Sequence, residues 1–239
     1  MRTTRSLVLT AAATTALVVT GATGIWQAQA ETAASNDSAV AATATPAESF
    51  LRGPAERPDR VDQADYLYSQ ELMQLPVDQL ERTYMGEIVV HHTAVIEMSR
   101  IALQRAQHPE IKTMANSIIA SQTEQVAGFT ELLKTKYGVT SDQARQQAPD
   151  YVRKAIAKVD DGMDRRVAMV RNAPSGLRFD QVWLQQVVPH HQTAILESLA
   201  VQDGAEQPQL VLMANTAVST QQTEIAQMLS WLVLWYGRG

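Results

Sequence analysis

The sequence predicts an all-α protein whose core is an antiparallel four-helix bundle built from two tandem helical-hairpin repeats. The region after residue 60 consists of long runs of helix-forming residues, in which apolar side chains recur every three or four positions. The same region lacks the alternating apolar runs and Asn-Gly turns that are typical of β-hairpins. One half of it also repeats the other, which indicates two copies of one helical unit.

The repeat is visible as identical residues at a constant offset of 99 positions. Four of the five histidines form two adjacent pairs, His91-His92 and His190-His191, that obey this offset. Further identities at the same offset are Ile96/Ile195, Ser99/Ser198, Pro109/Pro208, Gln122/Gln221 and Tyr137-Gly138/Tyr236-Gly237. Because a single register aligns them without a gap, we interpret residues 78–138 and 177–237 as two copies of a hairpin.

Proline and glycine positions divide the two repeats into helices. Pro76 and Pro109 precede apolar-periodic segments, and Gly138 stands where a helix C-cap is expected. The predicted helices span about residues 60–75, 78–106, 110–136, 149–170, 179–202 and 207–236. The loops inside each repeat are short, which favours antiparallel neighbours, and the 149–170 helix is expected to connect the repeats.

The N-terminal segment has the pattern of an export signal. Arg2 and Arg5 precede an apolar stretch, and Ala28-Gln29-Ala30 forms a small-residue cleavage site. We therefore expect a signal peptide over residues 1–30, cut after Ala30, and a flexible Ala/Thr/Ser/Pro-rich linker over 31–60. The bundle would occupy 61–239. The alternative is an uncleaved membrane anchor, but the threonines and glycines within the apolar stretch disfavour it.

Composition and charge narrow the range of functions. The chain has no cysteine, which excludes disulfides, a lipid anchor on cysteine and thiolate metal ligands. Its net charge is −5, and no dense Lys/Arg cluster is present, so nucleic-acid binding is not expected. The expected protein is secreted or extracytoplasmic, is not stably inserted in a membrane after cleavage, and has an acidity compatible with cation binding. A homo-oligomer is left open.

Helical phase predicts where the histidines point. At about 100° per residue, His91 shares an apolar stripe with Ile88, Val95 and Met98, and His190 lies on the equivalent stripe of the second repeat. We therefore expect both to face the core, either as metal ligands or as core histidines hydrogen-bonded to a neighbouring helix. The second histidine of each pair lies at the edge of the stripe. It could be a surface residue, or it could support the metal ligands from beside the site.

Equal rise on either side of each hairpin turn brings further polar groups to the level of the histidines. The predicted polar layer contains His91, His92, His190, His191, Gln122, Gln125, Gln221 and Glu224. We predict a metal ion as the ligand, because histidine is the commonest metal-binding side chain. The candidate metal ligands are His91, His92, His190, His191, Glu87, Glu197, Glu224 and Met98.

Like the histidines, three of the other candidates have more than one interpretation. Glu87, four residues before His91, could chelate an ion with it or be an exposed carboxylate. Met98 could supply a thioether or simply pack in the core, which is the commoner role of methionine. Glu197 points inward on the stripe of His190, where a carboxylate is costly unless it is paired or bound to a metal.

The two histidine segments carry a family resemblance. Val188-Pro189-His190-His191-Gln192-Thr193-Ala194-Ile195 and His91-His92-Thr93-Ala94-Val95-Ile96-Glu97-Met98 resemble the "PHH-x-x-A-I-x-M-A" helix of the bacterial DUF305 family, a domain of unknown function. The resemblance covers both repeats. It implies a ferritin-like, duplicated helical bundle. It also implies copper binding through His and Met, which is described for some exported members.

The chain departs from the family pattern at several of these positions. Glu87-Ile88 stands where members often carry methionine, and Met98 is replaced by Glu197 in the second repeat. These changes favour a harder His/carboxylate site, for which copper is the first expectation and zinc or iron are alternatives. A di-iron oxidase is not expected, because the chain has no Glu-x-x-His. An enzyme is the least favoured reading, and a structural or partner-binding bundle whose polar layer only sets register is the main alternative.

Overall fold

The computed structural model describes residues 63–237, all of whose regular structure is helical. The predicted signal peptide and linker lie outside this range. The helices are α1 (Gln63–Leu72), α2 (Val77–Arg105), α3 (Pro109–Leu132), α4 (Ser141–Gln146), α5 (Asp150–Asn172), α6 (Leu177–Gly204) and α7 (Pro208–Tyr236). A π-helical turn, Leu133–Tyr137, extends α3. The predicted all-α class is confirmed. Among the described helices, none combines the length and the apolar character needed to cross a membrane.

The two repeats form the predicted hairpins, α2–α3 and α6–α7. Pro109 and Pro208 occupy the first turn of α3 and α7, where the missing proline N–H is not needed. Both hairpins end at a glycine in the left-handed region, Gly138 at φ 66° and Gly237 at φ 65°, as expected for helix C-caps. The hairpins face each other through α2 and α6, whereas α3 and α7 touch over a short stretch.

The connecting region forms a second layer on the bundle. Helices α1 and α5 pack against the faces of α2 and α6 that α3 and α7 leave open, and α4 packs on α2. As a result, α2 and α6 are enclosed on several sides, and both bury polar as well as apolar positions. The sequence predicts only that the 149–170 segment connects the two repeats. In the structure its apolar face is part of the core.

The short helix α4 is absent from the predicted set. It begins at a capping box, in which the Thr140 hydroxyl accepts from the Gln143 backbone N–H while the Gln143 side chain accepts from the Thr140 N–H. Close approach to α2 depends on Gly86, because a Cβ there would lie 3.0 Å from the Ser141 carbonyl oxygen. This contact brings Arg145 of α4 into the interior of the protein.

Two buried carboxylates anchor the hairpin turns reciprocally. Glu81, in the first repeat, accepts hydrogen bonds from the backbone N–H groups of Glu206 and Gln207, just before α7. Asp180, 99 residues later, accepts from the backbone N–H groups of Gln107 and His108, just before α3. Each anchor therefore caps the second helix of the other hairpin, where a negative charge also favours the helix dipole.

The apolar core is divided into two clusters. One contains Tyr84, Ile88 and Phe129 together with the apolar faces of α1 and α5. The other contains Val95, Met98 and Trp183. Along α2 and α6 the clusters are separated by the two histidine pairs, so the polar layer lies between two apolar regions.

Candidate metal site

The four histidines of the two pairs lie together where α2 faces α6. All are at most 1% exposed. The rings of His91 and His190 contact each other at the centre, with centroids 3.8 Å apart and planes inclined at 40°. The outer rings flank them at similar distances, 6.2 Å from His91 to His92 and 6.0 Å from His190 to His191. The arrangement thus follows the twofold symmetry that the repeat predicts. We call these four side chains the histidine layer.

Each outer histidine is oriented by a side chain of its own hairpin. His92 Nε2 lies 2.7 Å from Gln125 Oε1, and His191 Nε2 lies 2.8 Å from Glu224 Oε2. Because an amide or carboxylate oxygen can only accept, Nε2 of each ring carries the proton and donates it; this tautomer follows from the acceptor. Nδ1 of each ring then holds a lone pair, and it has no hydrogen-bond partner among residues 63–237.

The inner histidines are held mainly by each other. His190 Nε2 donates to the backbone carbonyl oxygen of His91 at 3.0 Å, which leaves its Nδ1 as the acceptor nitrogen. Within the described chain, neither that nitrogen nor either ring nitrogen of His91 has a hydrogen-bond partner. The layer therefore contains several imidazole nitrogens that are buried and available for a ligand.

Burial keeps the rings of His91, His92 and His190 neutral. It lowers the pKa of His91 and His190 well below the usual value, and the neighbouring histidines and Arg166 lower both further. Burial also lowers the pKa of His92 to about 3, although the bond to Gln125 acts in the opposite direction. A neutral imidazole is the form that binds a metal ion, so no proton has to leave these three rings at neutral pH before one binds.

Two buried amides belong to the same region. Gln122 and Gln221, equivalent in the repeat, are each 1% exposed, and their amide atoms have no hydrogen-bond partner in the part of the chain that is described. Each lies about one helical turn from the residue that orients an outer histidine, Gln125 or Glu224. Buried polar groups are normally hydrogen-bonded, so this concentration of unsatisfied atoms favours a ligand in the layer.

The histidine layer as it stands does not enclose an ion. Over residues 63–237, no group of three or more His, Asp or Glu side chains is arranged to hold a metal. The contact between His91 and His190 also leaves no room between the two rings. Binding would therefore require these side chains to move apart. Their chemistry fits an imidazole-binding metal, whereas their present spacing is that of a packed layer.

Glu87 and Glu197 belong to a second group of polar side chains, whose charged members are carboxylates and Arg145. Both are fully buried. Glu87 Oε2 lies 2.8 Å from Arg145 Nε, and Arg145 also pairs with Asp160 of α5. On α1, Asp65 accepts a hydrogen bond from Thr193 at 2.7 Å. We call the four acidic side chains Glu87, Glu197, Asp65 and Asp160, together with Arg145, the carboxylate cluster.

Burial favours protonation of two members of the carboxylate cluster, Glu87 and Glu197. Burial raises the pKa of Glu87 to about 8, although the charge of Arg145 acts against it. Burial, followed by the charges of Glu87 and Asp65, raises the pKa of Glu197 well above its usual value. Neither oxygen of Glu197 accepts a hydrogen bond from another described residue. Burial therefore favours the protonated form of both side chains.

These positions revise several expectations for individual residues. Glu87 is neither exposed nor paired with His91, because α4 supplies Arg145. His92 and His191 are buried because each packs against the second helix of its own hairpin, His92 beside Gln125 and Phe129 and His191 beside Glu224. Met98 packs in an apolar cluster with Val95 and Trp183.

Two arginines, one beside the carboxylate cluster and one beside the histidine layer, were not predicted from the sequence. Arg145 lies on the unpredicted helix α4, whose Thr140–Gln143 capping box was its available signal. Arg166 is 6% exposed on α5, and its basic character gave no indication that it would face the histidines.

Comparison with known proteins supports the fold. The chain is similar to solved structures of CopM in its Cu(I)-bound and Cu(II)-bound forms, with sequence identities of 23% and 22% and TM-scores of 0.53 and 0.52. Both matches cover 65% of this chain and 97% of CopM. A DUF305 protein of Streptomyces coelicolor, named as a candidate secreted protein, is 18% identical with a TM-score of 0.50, and the match covers 64% of this chain and 90% of that one. No curated protein matches the sequence. The model of the DUF305 family, a domain of unknown function, matches residues 81–232, which include most of both hairpins. This chain therefore belongs to the DUF305 family.

Proposed function

We propose that this protein binds copper outside the cytoplasm through imidazole nitrogens of the histidine layer. The observation that carries the proposal is the set of buried Nδ1 atoms, on His92, His190 and His191, that have no partner in the described structure and hold a lone pair. Their tautomers are set by the acceptors opposite Nε2, which is the usual arrangement around a metal-binding histidine. The extracytoplasmic location rests on the signal peptide predicted for residues 1–30.

The donor atoms favour copper over other cations. Imidazole suits copper, zinc, iron and nickel, and a given nitrogen site generally binds Cu(II) most tightly among the divalent ions of the first transition row. The chain has no cysteine to recruit zinc or an iron–sulfur cluster. CopM, which shares the fold, has been solved with Cu(I), Cu(II) and Ag. Zinc and iron remain the alternatives.

A purely structural role for the layer is the second candidate. It is favoured by the bond from His190 Nε2 to the His91 carbonyl oxygen and by the contact of the two rings, which together fix α6 against α2. A buried polar layer of this kind can set helix register without a ligand. The two roles make different predictions for metal content.

Metal analysis of the purified protein, without a polyhistidine tag, tests the proposal. The protein would be equilibrated with copper and zinc and then dialysed, in parallel with a variant that changes His91, His92, His190 and His191 to Ala. The fifth histidine provides a matched control, because His108 binds Asp180 and stacks on Trp235 at the end of the bundle. We expect stoichiometric copper in the native protein and in His108→Ala, and none in the fourfold variant.

Circular dichroism would establish that the fourfold variant is still helical. If it unfolds, His92→Gln combined with His191→Gln replaces it, because glutamine keeps a polar side chain at both positions. Absence of copper from the native protein at micromolar concentrations would refute the proposed function and leave the structural role.

A further inference from the structure

The two halves of the histidine layer have the same geometry but different chemistry. His92 donates to the amide oxygen of Gln125 at 2.7 Å, and His191 donates to the carboxylate of Glu224 at 2.8 Å. Gln125 and Glu224 are 99 residues apart, so they occupy one position of the repeat. A neutral acceptor in the first half is therefore replaced by a carboxylate in the second.

A carboxylate behind a histidine makes the ring a better metal ligand than an amide does. The negative charge draws the Nε2 proton and increases the electron density at Nδ1, and it fixes the ring orientation. It also offsets the charge of a cation that loses its hydration in a buried site. Glu224 Oε2 is used by His191, while Oε1 has no hydrogen-bond partner within residues 63–237.

The inner histidines are less favourable for a cation. The rings of His91 and His190 contact each other with centroids 3.8 Å apart, which leaves no space for an ion between them. His190 Nε2 is occupied by the His91 carbonyl oxygen. An ion at the second outer histidine, beside Glu224, would instead have a compensating carboxylate next to its ligand.

Resting on the copper-binding function proposed above, we propose that the protein binds one copper ion in the second half of the layer, with His191 Nδ1 as ligand and Glu224 as the positioning residue. The His92–Gln125 half is the weaker of the two. The divergence at Gln125 and Glu224 thus selects one half-site in an otherwise twofold arrangement.

Single substitutions test this asymmetry. Copper affinity would be measured by competition with a chromophoric chelator, for the native protein and for His92→Ala, His191→Ala and Glu224→Gln. The last change gives the second half the chemistry that the first half already has. We expect Glu224→Gln to weaken binding by about 10- to 100-fold, the usual effect of losing such a partner, and His191→Ala to weaken it more than His92→Ala.

An exchange of the two partners provides the sharper test. In the double variant Gln125→Glu with Glu224→Gln, the carboxylate lies behind His92. We expect the tight site to move with it, so that His92→Ala becomes the more harmful change in this background. The nitrogen chemical shifts of the imidazoles in the metal-free protein would check independently that the ring paired with the carboxylate changes from His191 to His92.

The outcomes separate this inference from the function on which it rests. Equal losses from His92→Ala and His191→Ala, or an unchanged affinity in Glu224→Gln, would overturn the inference while copper binding stood. A native protein that takes up no copper would overturn both. Thermal unfolding of each variant would show whether a lost affinity only reflects a lost fold, and in that case the exchanged double variant decides.

Discussion

The anchor at Glu81 should make a large contribution to stability, and Glu81→Ala would measure it. The carboxylate accepts from the backbone N–H groups of Glu206 and Gln207 at 2.9 and 2.8 Å, from Lys136 Nζ at 2.7 Å and from the Tyr137 hydroxyl. Loss of a helix cap costs about 0.5–2 kcal/mol. A hydrogen bond to a charged group contributes about 1.5–3 kcal/mol, which is reduced for Lys136 because it is partly exposed.

Together these contributions predict that Glu81→Ala lowers the free energy of unfolding by about 3–5 kcal/mol. Urea denaturation followed by circular dichroism would measure the change, with an unchanged slope showing that only the native state is affected. Glu97→Ala is the matched control, because Glu97 pairs with Arg171 at the surface and should contribute less than about 1 kcal/mol.

The stabilisation by Glu81 should also depend on pH, because it requires the ionised carboxylate. Burial alone would raise the pKa of Glu81, but the hydrogen bonds from Lys136, Tyr137 and the two backbone amides outweigh it, and the pKa is lowered. The stabilisation is therefore present above the usual pKa of 4.5 and is lost as the pH falls below it. A loss in Glu81→Ala no larger than that of Glu97→Ala at pH 6 would refute the anchor.

Three further predictions follow from the interior. Stability should be greatest near pH 6.5, because His91, His92 and His190, whose pKa values are lowered, cost stability as the pH falls below 6.5, whereas only Glu87 and Glu197, whose pKa values are raised, cost stability as the pH rises above 4.5; unfolding midpoints across pH would check this, and a maximum at pH 8 would contradict it. Glu197→Gln should stabilise the protein at pH 9 and change little at pH 5, because the native side chain is a protonated acid; equal effects at both pH values would count against this. Gly86→Ala should lower the free energy of unfolding by about 1–3 kcal/mol, because the new Cβ meets the backbone of α4. Gly128→Ala should be near neutral, because its Cβ meets only the flexible end of a methionine. A smaller loss for Gly86→Ala than for Gly128→Ala would show that α4 can shift.

The repeat made the hairpins and the level of the polar layer predictable. Counting residues from each turn placed Gln125 at the height of the first histidine pair, and the structure joins it to His92. The reciprocal anchors were missed, although they obey the offset, because the two positions hold different acids, Glu81 and Asp180. A search for identical residues at the offset of 99 could not find this pair, whereas a search for residues of the same charge would have found it.

The environment of the histidines could not be predicted from helical phase alone. Phase describes which side of one helix is apolar, and it placed His92 at the edge of that side. Burial of His92 depends on α3, which places Gln125 and Phe129 against the ring, and the packing of one helix on another is a tertiary property. The partner of Glu87 was hidden for a related reason, because Arg145 lies 58 positions away on a helix of six residues.

The exchange of anchors between the hairpins bears on how such a chain could have arisen. A polypeptide that consisted of a single hairpin would lack the carboxylate at its own turn, and a dimer of two such hairpins would supply it reciprocally. The present chain has the contacts of such a dimer within one molecule. In a dimer of identical subunits, position 125 and its counterpart must be the same residue. Joining the two copies in one gene removes that constraint, and it allows an amide on one side of the axis and a carboxylate on the other.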